Sequence, residues 1–180
     1  MALPSAAELP SPREPGALYR VCLVCLGNIC RSPMAETVLR AELRAAGLAG
    51  AVVVDSAGTG DWHVGDAMDR GARSALASRG YDGAGPKTHR ARQFQPSWLA
   101  RYDLILAMDS RNLADLRRMA RGGDTDRIRL FGEAGGLGAG SDIPDPWGGG
   151  RDEFGHVLDL LGAAAPVIAA RLARLLETAG

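Results

Sequence analysis

The sequence predicts an α/β fold: a single-domain three-layer sandwich whose central four-stranded parallel sheet carries helices on both faces. Three observations point there. Short β-branched and apolar runs alternate with segments of helical period, 180 residues suit one sizeable core, and no internal repeat or composition break marks a second domain.

Residues 18–26 (LYRVCLVCL) form the first apolar run, ended by Gly27 and Asn28, and predict a buried first strand. A helix should follow. Ser32 suits the N-cap, Pro33 the first helical position and Glu36 the first turn, while Met34, Val38, Leu39 and Leu43 recur at helical spacing up to Gly47. Residues 51–56 (AVVVDS) predict a second strand and residues 70–79 a short helix stopped by Gly80. A loop through Pro86 leads to a short helical stretch at 96–101, then to strand 103–108 (DLILAM) and an amphipathic helix at 111–121. Residues 127–131 are the fourth strand and 132–150 a glycine-rich loop. Residues 151–178 have helical spacing that Gly162 and Pro166 are expected to kink or interrupt.

Residues 1–17 hold four of the ten prolines and are expected to be a disordered extension ahead of the folded domain at 18–180. They lack the basic start and long apolar middle of a secretory signal. The 21 acidic and 21 basic residues cancel, so no global field favours nucleic acid or an anionic membrane, and any anion must be held locally. No uninterrupted apolar run approaches the roughly 18 residues that span a bilayer. Lys87, the only lysine, follows Pro86 rather than glycine, which excludes a Walker-type phosphate loop. Three cysteines, all near one end, make no disulfide framework, and a reducing cytoplasm is the expected location.

All three cysteines fall between Cys22 and Cys30. Cys22 and Cys25 spell C-x-x-C, yet side chains three apart on a strand point to opposite faces and cannot converge on one metal. The three histidines, His63, His89 and His156, complete no zinc pattern either, so neither metal nor cofactor is expected. Cys22 is read as strand packing. Cys25 and Arg31 frame a C-x5-R loop between a strand end and a helix start, a layout suited to a tetrahedral dianion. Backbone N–H groups from Leu26, Gly27, Asn28, Ile29, Cys30 and Arg31 can curl around phosphate oxygens, and the arginine adds two parallel charged hydrogen bonds. The same field favours the cysteine thiolate that attacks phosphorus, and Ser32 can hydrogen-bond that sulfur.

The string VCLGNICRSP at residues 24–33 resembles the signature loop of the low-molecular-weight protein tyrosine phosphatases. Later stretches resemble that family's landmarks in the family's order: DSAGT at 55–59, WHVG at 62–65, HRARQ at 89–93, AMD at 107–109 with Asn112 and Leu113, and DPW at 145–147. The resemblance runs from Tyr19 to the end. It implies metal-free hydrolysis of phosphotyrosine-containing proteins, with Cys25 as nucleophile, Arg31 on the phosphate, Asp145 as proton donor and inorganic phosphate as product. By the same resemblance Asn28, Ser32, Ser56 and His89 support the loop, and Trp62 and Trp147 wall the substrate cleft. Trp147 beside Asp145 is expected to bury that carboxyl in part and keep it protonated. A monomer is expected, and the tyrosine pair that many relatives carry after Asp-Pro is replaced here by Trp147 and Gly148.

Three alternatives share the fold. A thiol-dependent arsenate reductase needs later cysteines, and none follows Cys30. A phosphoarginine phosphatase tends to carry threonine where Ile29 stands. A catalytically silent phosphotyrosine-binding module would have lost Cys25, Arg31 or Asp145.

Overall fold

Strand β1 (Tyr19–Cys25) divides the core between the two faces of the sheet. Tyr19, Val21, Leu23 and Cys25 enter one hydrophobic cluster, and Cys22 and Val24 the other, as the two-residue period of a strand requires. Only Arg20 along this strand is exposed. Such burial on both sides is the mark of a parallel sheet covered twice. The structure, a computed structural model, describes residues 8–179.

The other strands are β2 (Val52–Gly58), β3 (Leu104–Ala107) and β4 (Ile128–Leu130), and the sheet runs β2-β1-β3-β4 with every pair parallel. This is the predicted four-stranded sheet. Cys25 lies opposite Gly58, and Val24 opposite Ala107, so the strands end along one edge. The chain crosses to opposite sides of β1, which makes that edge the switch point where open α/β sheets bind ligands.

Helices α1 (Arg31–Ala45), α2 (Arg70–Ser78) and α6 (Arg151–Ala179) serve one face, and α4 (Ser110–Ala120) with a 3₁₀ turn at Pro96–Arg101 serves the other. Two short helices stand where loops were expected. One is α3 (Ala84–Thr88), with buried Pro86 in its first turn; the other is α5 (Phe131–Ala134), at the start of the glycine-rich stretch. Gly132 and Gly135 there are packing residues: a Cβ at Gly135 would stand 2.2 Å from the Ala164 methyl, and one at Gly132 2.5 Å from the Ser141 carbonyl oxygen.

Neither Gly162 nor Pro166 interrupts α6. Both lie on its exposed side, while Leu161, Ala164, Ala165, Ile168 and Leu172 form a continuous buried stripe. The helix packs on α1, and that burial outweighs the hydrogen bond that proline removes. By length and composition α6 also meets the requirement for crossing a bilayer, although its apolar stripe faces the core.

The expected disorder of residues 1–17 holds no description for 1–7, which lie outside the described residues. Residues 8–17 are held against the domain. Leu9 is buried in the core, the Tyr19 hydroxyl donates to the Pro10 carbonyl at 2.8 Å, and Arg13 donates to the carbonyls of Tyr102 (2.9 Å) and Leu99 (3.1 Å). Both oxygens of buried Asp103 accept from backbone, Oδ1 from Arg13 N–H and Oδ2 from Arg20 N–H, each at 2.7 Å. The proline count signals an extended path but does not show these partners.

Candidate active site

The loop from Leu26 to Cys30 is shaped by bonds to its carbonyls. The Cys25 and Leu26 carbonyls accept from the N–H groups of Thr59 and Gly60, both at 2.9 Å. His89 Nε2 donates to the Asn28 carbonyl at 2.7 Å, Asp69 N–H to that of Ile29 at 2.8 Å, and Met34 N–H to that of Cys30 at 3.1 Å. In a trans peptide the C=O and the following N–H point in opposite directions. With the carbonyls turned outward, the N–H groups of Leu26, Gly27, Ile29, Cys30 and Arg31 turn into the loop, forming a concave nest of donors at the start of α1.

Asn28 makes this curvature possible. Its φ of 57° lies in the left-handed region, where asparagine is tolerated but strained, and its side chain is fully buried. The amide Nδ2 donates to Ser32 Oγ and Ser56 Oγ, each at 2.9 Å, while Oδ1 accepts from the Arg92 N–H at 2.8 Å. Behind it, Ser56 Oγ donates to Glu36 at 2.6 Å and Glu36 pairs with Arg40 at 2.8 Å. Helix α1, strand β2 and the segment after α3 therefore meet on one asparagine.

Gly58 completes the scaffold from below. A Cβ there would lie 2.6 Å from the Leu26 carbonyl oxygen and 3.0 Å from the Asn28 nitrogen, so the loop rests directly on the end of β2.

Cys25 Sγ faces into the nest, accepting from Asn28 N–H at 3.3 Å and lying 3.0 Å from Ser32 Oγ. Ser32 does not cap α1. The N-cap is Cys30, whose side chain makes no capping bond, and Ser32 sits in the first turn with its hydroxyl shared among Cys25, Asn28 and the Ala57 carbonyl. The other two cysteines differ in kind. Burial pushes the Cys22 thiol well up, with Asp55 adding to the effect, and it packs in the cluster beneath α4 as expected. Burial also pushes the Cys30 thiol up, reinforced by Asp69, Cys25 and Asp145 against the opposing Arg31.

Arg31 is almost wholly buried and held in place before any anion arrives. One terminal nitrogen donates to Asp109 Oδ2 at 2.5 Å and to the Ile143 carbonyl at 3.0 Å; the other lies 3.5 Å from Asp145 Oδ2. Burial pulls its pKa down, but Cys25, Asp109 and Asp145 together raise it overall, so the guanidinium stays charged. Asp109 has a second duty, accepting the Asn112 N–H at 2.8 Å as the N-cap of α4. The segment leading to Asp145 is tied to the end of β3 by the Ile143 N–H to Met108 carbonyl bond, and to Ser110 through Asp142.

Asp145 is not buried beside Trp147 as expected. Its side chain is 44% exposed and Oδ1 accepts the Trp147 N–H at 3.1 Å, because the indole projects into solvent rather than over the carboxyl. Trp62 and Trp147 do stand at the same cavity. It has a volume of about 230 Å³, with Cys25, Ile29 and Arg31 at its base and Asp145 at its wall. Both indoles are more than 60% exposed, which leaves their faces open to a flat ring.

The sequence-derived residues Cys25, Asn28, Ser32, Ser56 and His89 thus form one hydrogen-bonded network, while Arg31 lines the same cavity on partners of its own, with Asp145, Trp62 and Trp147 at the mouth. Glu36, Gly58, Arg92, Asp109 and Ile143 were missed as site residues. Gly58, Arg92 and Asp109 stood inside recognised stretches, and Glu36 and Ile143 within three residues of one, but their work is done by a backbone group, by the lack of a side chain, or across the fold. Among the described residues no group of three or more His, Cys, Asp or Glu side chains is placed to hold a metal ion.

Residues 20–177 match the family model described as low molecular weight phosphotyrosine protein phosphatase. A low molecular weight protein-tyrosine-phosphatase of Streptomyces coelicolor is 46% identical over 162 residues, covering 88% of this chain and 96% of that protein. A low molecular weight phosphotyrosine protein phosphatase of Schizosaccharomyces pombe is 42% identical over 137 residues, covering 76% and 85%. The crystal structure of a protein tyrosine phosphatase from Entamoeba histolytica superposes with a TM-score of 0.80 at 31% identity, covering 87% of this chain and 97% of that one. With the cysteine loop, the parallel sheet and nearly the whole length in agreement, the chain belongs to the low molecular weight phosphotyrosine protein phosphatase family.

Proposed function

We propose that the protein is a phosphotyrosine phosphatase working through a cysteinyl-phosphate intermediate. The observation that carries this reading is the inward nest of N–H groups closing over Cys25 Sγ with Arg31 fixed at its rim. The aryl ring of phosphotyrosine would lie between Trp62 and Trp147, bringing the phosphoryl group to the nest. Cys25 attacks phosphorus in line while the loop donors and Arg31 hold the equatorial oxygens. Ser32 lies within hydrogen-bonding distance of the sulfur and can ease its later departure.

Asp145 donates a proton to the leaving phenolate. The incoming dianion takes up Arg31, which pairs with Asp145 in the resting site, and leaves that carboxyl at the cavity wall to face the leaving oxygen. The same carboxylate then takes a proton from the water that hydrolyses the cysteinyl-phosphate, and inorganic phosphate leaves. The paired indole walls suit a long aromatic phosphoester better than the short side chain of phosphoserine.

The finer parts of the reading follow the site chemistry. Cys25 and Cys30 line one cavity, so peroxide oxidation of Cys25 to a sulfenic acid can be followed by condensation with the Cys30 thiol, releasing water and forming a reducible disulfide. Three free cysteines and this sensitivity suit a reducing cytoplasm, and a monomer suffices because every site residue comes from one chain.

The test compares hydrolysis of para-nitrophenyl phosphate with that of matched phosphotyrosine, phosphoserine and phosphoarginine peptides. Phosphotyrosine should be the preferred peptide, Cys25→Ser should abolish turnover, and Asp145→Ala should slow poor leaving groups most. Undiminished turnover of poor leaving groups by Asp145→Ala would show that another group is the acid.

A further inference from the structure

The catalytic cavity does not end at Trp62. The indole lies so close over Gly60 that a Cβ on that glycine would stand 2.3 Å from the ring. Beyond it opens a second groove of about 570 Å³, with Leu26, Gly60 and Trp62 on one wall and Arg111, Arg118 and Arg121 on the other. Leu26 and Trp62 line both cavities, so the two are continuous across one aromatic ring.

The three arginines share one side of α4 and its C-terminal end, at spacings of seven and three that bring side chains onto one helical face. Among the described residues Asp115 is the only acidic one lining the groove, and it is paired with Arg118. The guanidinium groups of Arg111 and Arg121 are exposed and make no hydrogen bond or ion pair among the described residues. Arg117, by contrast, points elsewhere and donates to the Ile128 carbonyl. Acidic and basic residues balance over the whole chain, so this excess is local.

We infer that the groove receives acidic side chains flanking the phosphotyrosine, and that the enzyme selects phosphotyrosine set in an acidic sequence. The inference rests on the phosphotyrosine reading above. A phosphotyrosine held at Trp62 directs its own chain across that ring. An extended peptide advances about 3.4 Å per residue, so a side chain two or three positions away clears the indole and reaches α4. Two uncompensated guanidinium groups then meet carboxylates where the approach is partly shielded by the Trp62 wall.

The experiment measures kcat/KM on two phosphotyrosine peptides that differ only in carrying Glu or Gln two and three residues to each side, with para-nitrophenyl phosphate as the small substrate. The Glu peptide should be favoured about tenfold, roughly threefold for each exposed ion pair, mostly through KM. Raising the salt should shrink the preference. Arg111→Glu with Arg121→Glu should remove or reverse it, leaving the Gln peptide and the small substrate unchanged. Equal rates on the two peptides with normal turnover of the small substrate would overturn the groove alone, as would a preference untouched by the double variant. No turnover of the small substrate would remove the phosphotyrosine reading and this inference with it.

Discussion

Gly58 at the end of β2 lies directly beneath the Leu26 carbonyl, and a Cβ at that glycine would stand 2.6 Å from the oxygen. Leu26 begins the run of inward N–H groups, so its height sets the position of the nest. Gly58→Ala should push the loop out of register, and a displacement of about 1 Å can cost about 100-fold in rate. Steady-state kinetics and inhibition by inorganic phosphate check this: kcat/KM should fall and phosphate should bind more weakly, while the variant still folds.

Asn28 separates backbone strain from hydrogen bonding. Asn28→Ala keeps an unfavourable φ and leaves Ser32, Ser56 and the Arg92 N–H short of a partner, each buried loss costing about 1–3 kcal/mol if nothing replaces it. Asn28→Gly loses the same bonds but accepts the positive φ, and should be the more stable of the two by about 1 kcal/mol. Both should lose at least about tenfold in kcat/KM, because the loop is no longer pinned. Denaturant unfolding ranks the stabilities and kinetics ranks the activities.

His89 gives the loop a pH dependence of known sign. Burial lowers its pKa from the ordinary 6.5, only partly offset by the bond to Asn28 and by Glu36, so the folded protein takes up this proton less readily than the unfolded chain. The stability it contributes is therefore complete above about pH 6.5 and declines as pH falls below that value towards the lower folded pKa. Unfolding midpoints measured from pH 7.5 to 5 should fall with acidification, and His89→Gln should flatten that part of the curve.

Cys30 should decide whether oxidation is reversible. Its thiol stays protonated through burial, so capture of an oxidised Cys25 should be slower than for an exposed thiol yet still recoverable by dithiothreitol. Cys30→Ser should lose more activity permanently after the same peroxide exposure. Equal recovery in the two proteins would make Cys30 a packing residue only.

The strands were legible as short apolar runs, β1 and β3 being buried on both faces, the main helices as apolar positions recurring at about 3.6, and Cys25 and Arg31 because their spacing places them around a loop. The short helices α3 and α5 were not, since five and four residues carry too little periodicity and Pro86 and Gly132 read as breakers. Ser32 looked like a cap on local grounds, but the tertiary pull of Asn28 and Cys25 took its hydroxyl. Glu36 reads as an ordinary first-turn acid, and only the approach of β2 makes it a partner of Ser56. Asp145 was found by resemblance, while its openness to solvent depends on where the Trp147 indole points.

The strap at residues 8–17 fastens the edge of the sheet opposite to the catalytic one, through Asp103 and the start of β1. The anchorage of this segment and the chemistry thereby lie at opposite ends of the same strands. An engineer could trim, lengthen or fuse a partner at the strap to tune robustness, and should find the phosphate loop indifferent to the edit.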